Sequence, residues 1–264
     1  LTKKHGPEKA GEIVRSIDEA TKSIMERLSN PKRTEFSYKG LVVGYVQSGK
    51  TANFTALIAK AADAGYKFII VLSGIHSILR RQTQVRLDKE LTGINDLGID
   101  ESFIDEPSLA KKWTRITTAL LKETTTKNGE IRINDLGEFA HINIDPIDSI
   151  CNRVTPTIAI VKKNAKVLNR LIKYIGGSSK ENRKNIPLLL IDDEADQASI
   201  DTNYSDPDAD PTKTNEKIRK LLTLLPKITY IGYTATPFAN VLIDMTTEHK
   251  ELYDDLYPRN FIVS

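Results

Sequence analysis

Leu41-Val42-Val43-Gly44-Tyr45-Val46-Gln47-Ser48-Gly49-Lys50-Thr51-Ala52 is the stretch whose reading decides the fold. An apolar run ends in a glycine, four residues follow, then Gly-Lys-Thr, and an alanine-rich stretch begins. The glycines let the backbone curl so that successive N–H groups face one anion. The helix expected next adds its positive N-terminal end. This is a cradle for phosphate, with Gly44, Gln47, Ser48, Gly49, Lys50 and Thr51 as its contact residues. Lys50 is placed to reach the outer phosphates of a nucleotide, and the Thr51 hydroxyl to ligate Mg²⁺. The loop by itself leaves kinases, GTPases and motors all open.

The flanking sequence supplies the required context. Lys39–Tyr45 reads as a strand and Thr51–Ala64 as its helix. Phe68-Ile69-Ile70-Val71-Leu72 is a continuous apolar run, the mark of a strand buried on both faces. A helix over Ser77–Leu91 follows it. Thr157–Val161, Leu188–Ile191 and Thr229–Tyr233 are further strands, with helices running to about Ile175 and over Thr214–Leu224. Strands alternating with helices predict an α/β fold, a mainly parallel sheet between helical layers. Ile13, Ile17, Ala20, Ile24 and Leu28 recur at helical spacing before Pro31 ends the helix. Residues 1–37 are therefore an N-terminal helical extension and linker, and 38–258 the main lobe. Residues 93–156 lack strong periodicity and read as an insertion, with a helix over Leu109–Glu123 and a hairpin signal at Asn128-Gly129. Residues 259–264 read as the truncated start of a following domain, and a chain opening on Leu1 as a trimmed piece.

Leu188-Leu189-Leu190-Ile191-Asp192-Asp193-Glu194-Ala195-Asp196 narrows the chemistry. A buried strand ending in acids puts carboxylates at the carboxyl edge of the sheet, where open α/β sheets bind ligands. One carboxylate can hold Mg²⁺, and a second can orient or deprotonate an attacking water. A kinase has no need of the second; a hydrolase does. Thr234-Ala235-Thr236-Pro237 then places two hydroxyls beyond the last strand, able to bond the acidic cluster or to begin a helix.

Together and in this order these residues resemble superfamily-two helicases and translocases. Asp193-Glu194-Ala195-Asp196 matches that family's acidic box, and Thr234-Ala235-Thr236 its third motif. The resemblance implies a RecA-like P-loop NTPase lobe in which Asp193 holds Mg²⁺, Glu194 is the catalytic base, and Asp196 couples to Thr234 and Thr236. A shift by one residue would make Asp192 the metal ligand but leave Ala195 in the coupling position, so the first register is kept. Arg80-Arg81-Gln82-Thr83 looks like the segment that grips a nucleic-acid backbone, naming Arg81 and Gln82 as contacts. Lys162 and Lys163 join them from a basic helix face that includes Lys166, Arg170 and Lys173; the same face also reads as an ordinary solvated surface.

A closer resemblance is to the restriction-associated ATPases that carry a Z-one domain. It rests on Val46–Asn53, Ala61–Lys67, Asp192–Ser199, Ile218–Leu222 and Ile231–Asn240. It implies an ATP-dependent, DNA-acting motor in a bacterial restriction-modification or phage-defence system. Its implied partners are a second RecA-like lobe and the Z-one domain, with a nuclease, a methyltransferase and a histidine-kinase-like ATPase in the wider system. The alternative is an ATP-gated assembly switch that recruits a nuclease or partner ATPase without translocating.

Bulk properties bound the rest. Of 264 residues, 38 are Lys or Arg and 35 Asp or Glu, so a net charge of +3 gives no general nucleic-acid signature. The single Cys151 excludes an internal disulfide. No apolar run approaches the ~20 residues that span a bilayer, so a cytoplasmic protein with no membrane partner is expected. Four scattered histidines show no metal-ligand spacing. Asp206, Asp208 and Asp210 alternate as in a calcium loop but lack its glycine and closing glutamate. The resemblance places a transition-state arginine on the second lobe, a contribution of about 10³–10⁵ in rate. The isolated chain is thus expected to hydrolyse ATP feebly. Steady-state assays with and without DNA read this directly, and robust DNA-stimulated turnover by the isolated chain would count against it.

Overall fold

Continuous apolar runs fold here as strands covered on both faces. In the computed structural model, residues 6–44, 49–94, 112–125, 131–135, 137–139, 146–197, 199, 213–237, 240 and 256–263 are described. The strands are β1 (Phe36–Val43), β2 (Phe68–Ser73), β3 (Thr114–Arg115), β4 (Leu121–Thr125), β5 (Ile131–Asp135), β6 (Thr157–Val161), β7 (Leu188–Asp193), β8 (Lys227–Thr234) and β9 (Phe261–Val263). The helices are α1 (Pro7–Met25), α2 (Lys50–Ala64), α3 (Ser77–Leu87), α4 (Asp148–Asn152), α5 (Ala165–Gly176), α6 (Lys180–Arg183) and α7 (Lys213–Leu221). Seven strands form one sheet in the order β3-β6-β2-β7-β8-β1-β9, every pair parallel. β4 and β5 form a separate antiparallel pair. The protein is thus α/β with a parallel sheet, as the alternation of strands and helices predicts.

Alternation along each strand divides the core in two. Phe68, Ile70 and Leu72 face α5 and α7 with Leu168, Leu171, Ile175, Ile218 and Leu221. Ile69 and Val71 face the other way, with Phe54, Leu57, Ile58 and Ala61 of α2 and Ile24 of α1. Successive side chains of a strand point to opposite faces, so a strand buried on both sides needs an apolar residue at every position. Among the described residues no helix is long and apolar enough to cross a membrane.

α1 is held on α2 by its apolar stripe and by the Lys60–Asp18 ion pair at 2.7 Å. The linker behind it is pinned by Tyr66. That buried hydroxyl lies 2.9 Å from the Ser29 carbonyl and 2.8 Å from Thr229 Oγ1, and burial pushes it up to about 12. Phe36 packs edge-to-face on the Tyr66 ring as the first residue of β1, so β1 begins before residue 38.

Two expectations are corrected. Thr114–Arg115 and Leu121–Thr125 are strands, not parts of a helix over Leu109–Glu123. The β-branched run Thr114, Ile116, Thr117, Thr118 disfavours a helix and suits extended chain. The 93–156 region is therefore not wholly an insertion, since β3 extends the main sheet through β6. Its hairpin is present as β4 and β5, while the Asn128-Gly129 turn lies outside the described residues, as do Asp206, Asp208 and Asp210. In addition, Phe261–Val263 lies in the main sheet as the edge strand beside β1, with Gly40 paired to Phe261.

That last contact depends on a missing side chain. A Cβ at Gly40 would lie 2.1 Å from Phe261 Cζ. Gly40→Val is expected to destabilise the protein by roughly 1–3 kcal/mol through overpacking. Phe261→Ala should relieve part of that loss in the double variant, because the two residues share one contact. Denaturant midpoints of the four proteins measure the coupling, and strict additivity would contradict it.

Candidate functional site

Sheet order brings the three sequence motifs together. The phosphate-type loop follows β1, the acidic residues end β7, and the threonines end β8, which lies between the other two strands. Paired registers align the ends: Val43 sits opposite Thr234, and Tyr233 opposite Asp193. The three carboxyl-edge loops thus rise from one level.

Tyr45–Ser48 lies outside the described residues, so Gln47 and Ser48 are given no position; the loop's two ends are described. Gly44 N–H donates to the Thr234 carbonyl at 2.9 Å, which anchors the first end. Gly49 caps α2 with φ +80, and a Cβ there would meet nothing within 4 Å. A left-handed glycine fits the turn into the helix. Among the described residues no side chain caps α2, and no acidic residue stands in its first turn, so the positive end of this 15-residue helix is left uncompensated by them. Lys50 opens the helix, with the half-buried Thr51 beside it.

Lys50 Nζ is 3.0 Å from Glu194 Oε1. The lysine side chain is 13% exposed and the glutamate 39%, so the pair borders solvent. Asp193 is half-buried next to them. Burial, reinforced by the Glu194 charge, pushes its carboxyl up to about 6, although Lys50 and Lys163 pull the other way. Asp192 faces inward and is wholly buried, accepting from Tyr230 Oη at 2.8 Å. Asp193 and Glu194 are therefore the carboxylates that reach the edge, and the register centred on Asp192 as metal ligand is unsupported.

Asp196 accepts from both threonine hydroxyls, Thr234 at 2.8 Å and Thr236 at 2.6 Å. Burial acts to raise the Asp196 carboxyl, but the bonds from Thr236 and Thr234 outweigh it and hold it below the ordinary value. Below this pair, Tyr233 Oη donates to Asn53 Oδ1 at 2.9 Å. Burial, and then the Asp193 charge, push the Tyr233 phenol upward. Its ring meets Phe54 edge-on, joining the threonine strand to α2.

The turn between these groups is strained. Glu194 has φ +53, the one non-glycine among the described residues with positive φ. Such backbone costs of order 1–3 kcal/mol and persists only where its surroundings enforce it. Ala195 N–H donates to the Tyr233 carbonyl and Gln197 N–H to the Glu194 carbonyl, both at 2.9 Å.

The residues nominated for nucleic-acid contact are mostly engaged within the protein. Lys163 is buried beneath the acidic turn and is withdrawn as a backbone contact. The end of β7, one strand beyond the neighbouring β2, supplies the Asp192 carboxylate and the Asp193 and Glu194 carbonyls that draw its ammonium inward. Lys162 Nζ pairs with Glu138 at 2.7 Å and bonds Ser77 Oγ at 3.1 Å. Arg81 Nε donates to the Ala119 carbonyl at 3.1 Å, and Gln82 is exposed. Sequence reasoning assigned no role to Asn53 or Tyr230, which carry no motif of their own. No protein-family model and no curated protein sequence matches the chain.

The raised Asp193 carboxyl has a measurable consequence in metal- and nucleotide-free protein. Its folded value of about 6 lies above the ordinary 3.8, so the folded state holds this proton more tightly. The contribution is full below the unfolded value and is lost as pH rises through about 6. Relative to Asp193→Asn, the native protein should lose about 1–3 kcal/mol between pH 4 and 7. Denaturation midpoints of the two proteins against pH test this, and parallel profiles would count against it.

Proposed function

We propose that this chain is a RecA-like P-loop NTPase lobe that binds Mg²⁺–ATP at the carboxyl edge of its sheet and hydrolyses it as part of a DNA-acting motor. One observation carries the reading: Lys50, from the loop after β1, meets Glu194, from the turn after β7, at 3.0 Å. A lysine suited to outer phosphates and a carboxylate suited to activating water lie within one nucleotide's reach.

The residues fit the ligand. The uncapped N-terminus of α2 and the open space at Gly49 suit phosphate oxygens. Thr51 and Asp193 would hold Mg²⁺. Among the described residues no group of three or more His, Cys, Asp or Glu side chains is arranged to hold a metal alone. Mg²⁺ in nucleotide sites needs only one or two protein ligands, with phosphate oxygens and water completing its shell. Once bound, the ion would neutralise charge building on the phosphate oxygens. Lys50 would turn from Glu194 to a bound phosphate, and the released Glu194 carboxylate would be free to take a proton from water. Asp196, gripped by Thr234 and Thr236, would pass the state of the acidic turn to the end of β8.

The second lobe, the Z-one domain and the restriction or defence partners rest on the family resemblance. A switch that gates assembly draws support from a specific observation. The outward face of α3 presents Ile78, Leu79 and Val85, and the nearby basic residues are engaged internally. Such a face suits a protein partner better than a phosphate backbone. ATP-dependent strand or triplex displacement by the full-length protein supports the motor; ATP turnover without displacement supports the switch.

Glu194→Gln should retain ATP binding and slow hydrolysis by about 10²–10⁴. Lys50→Ala should weaken binding as well. Equilibrium binding with single-turnover hydrolysis separates the two effects, and a Glu194→Gln protein turning over at the native rate would refute the assignment.

A further inference from the structure

We propose that Lys163 is the positioning residue of the acidic turn, holding Glu194 in the conformation that turns its carboxylate toward Lys50. The inference rests on the hydrolytic reading above. Lys163 follows β6, which is separated from β7 by β2. Its side chain nevertheless crosses the end of β2 and is 0% exposed. The ammonium lies 3.1 Å from Asp192 Oδ1, donates to the Asp193 carbonyl at 2.8 Å, and donates to the Glu194 carbonyl. The ammonium thus pairs its charge with Asp192 and gives its hydrogen bonds to the carbonyls of the next two residues, so three consecutive residues meet one side chain.

The base of the clamp is fixed as well. Lys163 N–H donates to the Gly74 carbonyl at 2.8 Å, tying its backbone to the turn after β2. Asp192 is oriented from the other side by Tyr230. The anchor is thus rigid where it begins and the turn is strained where it ends, at Glu194 with φ +53. A left-handed non-glycine residue relaxes unless its carbonyl is held. A buried ion pair is in general a poor source of stability, since apolar packing often does as well. Bonds to the backbone of the residues bearing the candidate metal ligand and base point to placement instead.

The test uses the full-length protein. Lys163→Met alone would leave the Asp192 carboxylate buried and unpaired, so the main variant is Lys163→Met with Asp192→Asn, which retains an acceptor for Tyr230. ATP affinity should stay within about threefold while kcat falls about 100-fold, the scale of a misplaced reacting group. In nucleotide-free protein, amide exchange at Ala195 and Gln197 should quicken by about tenfold or more, with β2 unchanged. If the double variant folds poorly, Lys163→Gln, which lacks the charge and reaches one carbonyl rather than two, should shift exchange the same way by less. Unchanged exchange at the turn overturns the proposal whatever turnover does, as does native kcat in a variant whose turn has loosened. A native protein that hydrolyses no ATP, or a Lys50→Ala protein that hydrolyses it equally well, defeats the hydrolytic reading instead and leaves the exchange result to judge the clamp.

Discussion

The parallel pairing that places β8 between β1 and β7 is the constraint on which the carboxyl edge depends. Were β1 and β7 neighbours, Lys50 and the acidic turn would face each other with nothing between them. With β8 interposed, the threonine strand supplies the floor. Its Thr234 carbonyl receives Gly44, its Tyr233 carbonyl receives Ala195, and its Thr234 hydroxyl binds Asp196. Gly232 lets this happen at close quarters, because a Cβ there would stand 3.0 Å from Ala195 and 3.1 Å from Leu41. One strand therefore sets the height of both the loop and the acids.

Buried polar groups fix the remaining geometry. Hydrogen bonds lock side chains in direction as apolar contact does not, and unsatisfied partners are costly in a dry interior. Below the acids, Lys163, Asp192 and Tyr230 form one such set. Under α3, Arg80 bonds Gln84 and the Thr118 carbonyl, Gln84 bonds Asp88, and Arg115 pairs with Asp88 at 2.8 Å. Thr117 ties the same network to β6 through Ile160 N–H. Consequently α3 is polar on its buried side and carries Ile78, Leu79 and Val85 outward. The helix continues as a π turn over Asp88–Thr92, and such turns accompany functional positions in many helices. Edge strand β3 is thereby held on β6 by polar bonds as well as by its ladder.

How much was legible depended on the range of the physics involved. The strands β2, β6, β7 and β8 announced themselves because full burial demands an apolar residue at each position, a demand read within five or six letters. The helix α2 and the left-handed Gly49 at its start were equally local, since they concern adjacent residues. The pairing of Asp196 with Thr234 and Thr236 was reached through resemblance, and the contact is present. Strands β3 and β9 were missed because two or three residues show no periodicity, and only a neighbouring strand makes them strands.

Lys163 marks the boundary most clearly. In the sequence it stands beside Lys162 on a basic stretch, and a charged residue there reads as surface. Its burial follows from strand order, since Val161, Leu72 and Asp192 share one level across three adjacent strands. Partners about thirty residues apart meet only after the sheet has formed. The amino acids alone determined which segments are strands, where a glycine turns the chain into a helix and which carboxylates stand at a strand end, because each is a short-range steric or solvation requirement. The tertiary structure decided which acid faces inward, which lysine is buried and which edges extend the sheet, because those follow from neighbours that no local pattern specifies.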